Sequence, residues 1–322
     1  MGAFGRGGKR SVNQKCVEQA NEKLVANYFE FGGAVVGGVG VCGDRCGPSE
    51  DLWIAYVKVK VTDVEKSKAF YGEVLGLRAG GESCKGVANP CFSINGSQHV
   101  ELVKTDVGDK GSFLPEIGLA TNSVEQMASY LTAKGIPASE ILRRPDSMKY
   151  LEVLDPEHHK IVFVEGKASV AEALPPGAIS NRLIHAGFVV KDGKAESRFY
   201  EDILGFKLFW HGGFKEDETN WYMVQVPDGD NWLEYMLNIP ATADHKELGI
   251  QNHFSLGVRD VKATAKELEA RGVKLSGKPI LGRDGKWQLT LLDPDETRAE
   301  VMDFVPVEKP CCSEYTGIQP KP

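Results

Sequence analysis

His185, Glu234, His253 and Glu300 follow one another at intervals of 49, 19 and 47 residues, each within a short run that reads as a β-strand. Imidazole and carboxylate suit several divalent ions, among which geometry rather than raw affinity selects. Two neutral imidazoles and two carboxylates balance the charge of one such ion, so we expect a single Ni, Zn, Fe, Mn or Co. On an ion that prefers six positions, two remain for water or for adjacent oxygens of a substrate, polarised by the metal as Lewis acid. Proton removal beside a carbonyl then leads to an enediolate whose charge the metal stabilises. A Glu released from the metal would lie within reach of that proton as general base; Glu300 is the first choice and Glu234 the second.

Such dispersed ligands need a repeating scaffold, and four helical segments supply one. DVEKSKAFYGEVLG runs from Asp63 to Gly76, SVEQMASYLTAKG from Ser123 to Gly135, DGKAESRFYEDILG from Asp192 to Gly205, and DVKATAKELEARG from Asp260 to Gly272. Each opens on an Asp or Ser whose oxygen can cap free backbone N–H groups, and closes on a Gly suited to a left-handed C-terminal residue. Alternating strands (YVKVKVTD, HAGFVVKD) precede the first and third, and short strands punctuated by turns such as LDPEHH and LDPDET follow. The unit is strand–helix–strand–strand–strand, used four times. We expect an N-terminal, weakly ordered extension (1–51), a first domain (52–166), a linker (167–181), a second domain with the ligands (182–306) and a Pro-rich tail (307–322).

The bulk composition narrows the function classes. At 322 residues, 42% hydrophobic and 26% charged, the chain is ordinary globular material for about two domains. A net charge of −7 argues against nucleic acid, since nothing would replace counterions along a phosphate backbone. The sequence lacks the run of about 18 apolar residues that a spanning helix needs, so no membrane partner is expected. Seven cysteines, an odd count, lean towards a reducing compartment, and we expect a cytoplasmic protein. Cys42 and Cys46 lack the further ligands of a zinc site, so plain thiols or a tail disulfide are expected of the tail cysteines.

The FYxxxLG helix endings at Phe70–Gly76 and Phe199–Gly205, the DPxxxxxE run from Asp293 to Glu300 and the paired modules resemble the vicinal oxygen chelate superfamily of glyoxalase I, bleomycin-resistance proteins and extradiol dioxygenases. The resemblance spans roughly 52–306. It implies an α+β fold of tandem vicinal oxygen chelate domains, four βαβββ modules forming two cupped mixed β-sheets. It also implies metal ligands on the first and last strands of each module. The first-strand position lies seven residues before the helix-opening Asp, which gives His185 and His253; the last-strand positions give Glu234 and Glu300. In the first domain the same positions are Tyr56, Glu101, Glu116 and Val162, so this copy is read as degenerate and without metal. His99 reads as a strand edge and His158–His159 as a solvated turn.

The resemblance implies a metal-dependent lyase or isomerase, glyoxalase-like, acting on a small molecule with adjacent oxygens. Two departures qualify the reaction. Val189 stands where glyoxalase I-like sequences carry a glutathione-binding Arg, although Asn238 could offer a polar contact. Thr290 replaces the Tyr of extradiol dioxygenases, whose catalytic upstream His is also missing. A metal-dependent dioxygenase and a non-catalytic drug-binding protein are the alternatives. A homodimer is compatible with the resemblance. Trp221, Tyr222, Trp232 and Trp287 read as core or rim packing with some share in a substrate pocket. Arg283 and Lys286 read as a solvated hairpin turn, or else as groups that meet a substrate carboxylate.

Overall fold

The computed structural model describes residues 51–109, 113–166, 174 and 176–322; the N-terminal extension with Cys42 and Cys46, and much of the linker, lie outside the described residues. Two eight-stranded mixed sheets are present. The first, in spatial order, is β2 (Arg78–Ala79), β3 (Cys91–Ser93), β4 (His99–Lys104), β1 (Trp53–Val61), β5 (Glu116–Thr121), β8 (Lys160–Glu165), β7 (Lys149–Leu154) and β6 (Leu142–Arg143). The second is β10 (Lys207–Gly212), β11 (Trp221–Gln225), β12 (Trp232–Met236), β9 (Leu183–Val189), β13 (His253–Val258), β16 (Arg298–Asp303), β15 (Trp287–Leu292) and β14 (Ile280–Leu281). The first sheet runs from β1 (Trp53–Val61) to β8 (Lys160–Glu165), the second from β9 (Leu183–Val189) to β16 (Arg298–Asp303). In the second sheet β9 and β13 (His253–Val258) pair antiparallel at the centre. Each is flanked in parallel by the last strand of its own module, β12 (Trp232–Met236) and β16. The four strands expected to bear ligands are therefore the four contiguous central ones. Parallel neighbours need a crossover, and each module's helix and hairpin provide it. The α+β fold of tandem domains, two cupped mixed sheets, is as the resemblance implied.

Local sequence explains how each crossover starts and stops. Asp63, Ser123, Asp192 and Asp260 each accept from a backbone N–H three residues on. Gly76, Gly135, Gly205 and Gly272 follow with φ between +67° and +83°, a region that costs an L side chain energy. One feature escaped the helical pattern: Phe70–Val74 and Arg198–Ile203, which contain the two Phe-Tyr pairs, are π-helical turns. The extra residue per turn directs Tyr71 to Asp293 and Tyr200 to Asp155, each at 3.1 Å from hydroxyl to carboxylate. The Phe-Tyr and Leu-Asp-Pro motifs thus meet across the two halves of the chain.

Val57, Val59, Leu183, Ala186, Phe188, Leu289 and Leu291 belong to one continuous apolar core on the outer faces, shared by both sheets and their helices. The inner faces carry separate clusters, Trp53, Tyr56, Ala120 and Val162 in the first sheet, and Ile184, Phe209, Trp210, Trp232 and Met302 in the second. A register shift between the β9–β13 pairs at Ser255 and Leu256 leaves Ile184 unpaired, a bulge. Bulges re-aim side chains beside functional sites, and this one turns Ile184 and His185 to the same inner face. The Pro-rich end is a strap over the second sheet: Ser313 bonds His211, Tyr315 donates to the Asp284 carbonyl, and Ile318 bonds Gln225. Disulfides join Cys84 to Cys91 and Cys311 to Cys312. No helix among the described residues is long and apolar enough to cross a membrane.

Candidate metal centre

The four expected ligands converge on the inner face of the second sheet. His185 Nε2 lies 3.0 Å from His253 Nε2, 3.1 Å from Glu300 Oε2 and 3.5 Å from Glu234 Oε2. His253 Nε2 lies 3.3 Å from Glu234 Oε2. All four side chains are buried. Burial of two carboxylates is costly unless opposite charge is close, and only one oxygen of the pair has a permanent cation: Arg298 donates to Glu300 Oε1. Among the described residues none donates to the buried Glu300 Oε2 with hydrogen-bond geometry, although His185 Nε2 lies 3.1 Å away. A carboxylate oxygen facing two imidazole nitrogens is a donor set that fits a divalent ion, and His185, His253, Glu234 and Glu300 are the residues that would hold it.

Three features beyond the ligands build this geometry. Gly187 is paired with His253, and a Cβ there would come within 2.2 Å of the His253 ring, so only Gly leaves room for the imidazole. A helix at His245–Gln251, capped by Asp244, precedes His253 and places the Gln251 carbonyl 3.1 Å from its Nδ1. That contact favours Nδ1–H and frees Nε2 for a ligand role. Trp232 packs beside His185 with ring centroids 4.7 Å apart, and Lys286 Nζ sits 4.8 Å from the Trp232 ring on its other contacts. The Asp244 cap, Gly187 and the Arg298 tether were all three missed in the sequence: Asp244-x-x-Glu247 was a local signal for the cap and Arg298 stands two residues before Glu300 on the same strand, whereas the need for Gly187 arises from His253 on a neighbouring strand.

The electrostatics divide the two carboxylates. Burial pushes the Glu234 carboxyl up to about 7, less the opposing pull of His185. Burial acts on Glu300 too, but Arg298 and His185 outweigh it and hold that carboxyl well below the usual range. Burial keeps both imidazoles neutral, moving His185 down and His253 down to about 4. Neutral imidazole is the form that binds metal.

Several other expectations need correcting or placing. Lys286 is no solvated turn: it is fully buried, donates to the Phe304 carbonyl at 3.2 Å, and burial lowers its ammonium to about 8. Its chain register explains this, since Lys286 leads into β15 (Trp287–Leu292) on the inner face, beneath Tyr315 of the strap. Arg283 donates to the Gly213 carbonyl. Trp232 is core, Trp221 packs edge-on to Phe214, and Trp287 lies under Lys262. Tyr222 and Asn238 line a cleft of about 790 Å³ that the four ligands do not border. His99 is buried and stacked on Tyr56 at 4.9 Å rather than at an edge, and His159 is paired with Asp155 at 2.8 Å rather than solvated.

The first sheet's equivalent positions hold a different arrangement. Tyr56 donates to Glu116 at 2.6 Å, Lys58 Nζ lies 2.9 Å from Glu116 and 3.6 Å from Glu101, and Val162 offers no donor. A cavity of about 250 Å³ opens there, lined by Tyr56, Lys58, Glu101, Glu116 and Arg144 among others.

Two curled sheets built from four such modules define a family, and the sequence matches its model twice, over residues 53–163 and 182–301: this chain belongs to the Glyoxalase/Bleomycin resistance protein/Dioxygenase superfamily. Among curated proteins, a probable chloroplastic lactoylglutathione lyase of Arabidopsis thaliana is 28% identical over 134 residues, 41% of this chain and 38% of that protein. The match therefore spans well under half of that relative's length. Among solved structures, homoprotocatechuate 2,3-dioxygenase of Brevibacterium fuscum, bound to 3,4-dihydroxyphenylacetate, aligns with a TM-score of 0.59 at 21% identity, covering 80% of this chain and 82% of that one. A Mn(II)-bound glyoxalase of Novosphingobium aromaticivorans aligns at 0.57 and 20%, covering 78% and 81%. These likenesses establish the fold.

Proposed function

We propose that this chain is a metal-dependent lyase or isomerase, glyoxalase-like, whose second domain (182–306) holds one divalent ion on His185, Glu234, His253 and Glu300, while the first domain (52–166) holds none. The observation that carries the reading is the convergence of two neutral imidazoles and two buried carboxylates around the buried Glu300 Oε2. A bound divalent ion would supply Lewis-acid polarisation of two adjacent substrate oxygens. The residues supply the rest. Glu300, tethered by Arg298, is the fixed carboxylate. Among the described residues Glu234 has only the two imidazoles as close polar neighbours, so it is the carboxylate free to leave the ion and take a proton. We therefore assign proton removal beside the substrate carbonyl to Glu234 ahead of Glu300, reversing the order that spacing alone suggested. Val189, half-buried on β9, gives no cation for glutathione, so the substrate class is a small 2-oxo or 2-hydroxy carbonyl compound rather than a glutathione adduct.

The test is deuterium exchange, followed by NMR in D2O, at the carbon beside the carbonyl of a panel of such compounds, with full-length metal-loaded protein. Exchange that Glu234→Gln slows at least about 100-fold, with metal content retained, supports the reading, given that general acid–base catalysis contributes about 10²–10⁴. Metal bound with no exchange on any compound, but oxygen consumption with a catechol, would replace it with dioxygenase chemistry. Absence of metal uptake would leave a binding protein.

A further inference from the structure

A second group of ligand-type side chains lies far from the inner faces, where the turn between β7 (Lys149–Leu154) and β8 meets the helix Gly193–Ser197 of the other half. Asp155, His159 and Glu196 each offer one ligand atom, all within 4.8 Å of one another. Asp155 and Glu196 are buried, at 3% and 0% exposure, while the His159 side chain keeps 16% and gives an edge open to solvent. Backbone N–H groups satisfy one oxygen of each carboxylate: Glu157 and His159 donate to Asp155 Oδ1, and Glu157 donates to Glu196 Oε1. Asp155 Oδ2 accepts from Tyr200 at 3.1 Å and faces His159 Nδ1 at 2.8 Å. Glu196 Oε2 is buried, and among the described residues no hydrogen-bond donor meets it.

The chain contains its own control for this site. The repeat places Asp293 where Asp155 stands, Thr297 where His159 stands, Ser67 where Glu196 stands, and Tyr71 where Tyr200 stands. There the Asp is satisfied by Tyr71 and by the Asp295 and Thr297 N–H groups, and Ser67 bonds its own helix. The scaffold is therefore complete with neutral residues at both variable positions. Only one copy adds an imidazole and a second buried carboxylate, and both additions are metal-ligand types. Two buried carboxylates this close repel each other unless a cation or a proton lies between them.

We propose that Asp155, His159 and Glu196 form a second divalent-metal site, a structural clamp joining the two halves of the chain, independent of the centre on the second sheet. Two carboxylates neutralise the ion, and the imidazole favours a transition metal such as Zn2+ or Mn2+ over Mg2+ or Ca2+. Glu196 comes from the second half and the other two ligands from the first, so the ion fixes their docking.

Zn2+ titration by calorimetry of the full chain carrying His185→Ala and Glu300→Ala isolates this site. One Zn2+ per chain is expected, with a Zn2+-induced rise in melting temperature. Adding Glu196→Gln, or separately His159→Ala, should weaken binding at least about 100-fold and abolish that rise. Glu196→Gln is nearly isosteric and keeps the oxygen that accepts from the Glu157 N–H, so its metal-free melting temperature should not fall, which excludes misfolding as the cause. Should the background variant not fold, elemental analysis of the Zn2+-equilibrated parent chain substitutes: Glu196→Gln must lower the count by one equivalent, whether the parent holds two or one. No Zn2+ bound by the folded background variant, or binding that Glu196→Gln and His159→Ala leave unchanged, overturns the proposal.

Discussion

The inner faces of the two sheets are the same frame put to opposite uses. In the second, Gly187 leaves space into which the His253 ring leans, and the buried carboxylates Glu234 and Glu300 face imidazoles. In the first, the residue at the Gly187 position is Lys58, which is paired with Glu116 as Gly187 is with His253, and its ammonium lies between Glu116 and Glu101. Gly118, at the Ser255 position, instead makes room for the Tyr56 ring, where a Cβ would come within 1.9 Å. The first face thus places an ammonium between its two carboxylates, whereas in the second Arg298 reaches Glu300 and Glu234 has the two imidazoles beside it. What separates a metal centre from a filled one is as much the backbone neighbour that gives or denies space as the ligands themselves.

That contrast can be broken most directly at Gly187. Any side chain there collides with the His253 imidazole, so Gly187→Val should lower metal affinity about 10–100-fold, as loss of ligand placement does; calorimetric titration with Zn2+ or Mn2+ reads it. The reciprocal change sharpens the comparison: Tyr56→His, Lys58→Gly, Glu116→His and Val162→Glu together should give the first sheet a new equivalent of metal. Lys58→Met alone leaves Glu116 and Glu101 short of a cation, and loss of one partner of a buried pair costs about 3–5 kcal/mol. Lys58 keeps some exposure, and Lys160 and Tyr56 also contact Glu116, so we expect about 1–2 kcal/mol by chemical denaturation.

A smaller effect follows from Glu234. Its folded carboxyl is raised from the usual carboxylate range to about 7 by burial, so its contribution to stability is present below about pH 4.5 and is lost as pH rises through 7. Metal-free protein should therefore lose stability on the order of 1–3 kcal/mol between pH 5 and 8 from this group. The neutral imidazoles act in the opposite direction below about pH 6.5, where their unfolded forms begin to take up protons. Between pH 6.5 and 8 the imidazoles no longer interfere, and the part of the loss that remains there is under about 1 kcal/mol. Melting curves of the parent and Glu234→Gln, both freed of metal, should diverge there, and metal should flatten the parent's profile.

Much of this was legible in the chain. A capping Asp or Ser and a closing Gly bracket each helix because both requirements are local, and the strand alternation is local too. The convergence of His185, Glu234, His253 and Glu300 followed from the repeat, since residues at one offset in each module must occupy one place in the sheet. Lys286 was misread because a short polar run between strands looks like a solvated turn unless one knows that Tyr315, 29 residues further on, covers it. His159 was misread for a similar reason: its neighbours Phe188 and Glu196 come from the other half of the chain. The π-helical turns escaped because Phe-Tyr fits an ordinary helix equally well, and only the distant Asp155 and Asp293 reveal where the extra residue sends the tyrosines.

The most direct measurement is an anomalous difference map, collected at the absorption edge of the added metal, from crystals of the full chain grown with Zn2+ or Mn2+. The account predicts a peak between His185, Glu234, His253 and Glu300 and none among Tyr56, Lys58, Glu101 and Glu116. A map with no density at the four ligands, or with a peak beside Lys58 instead, would contradict it.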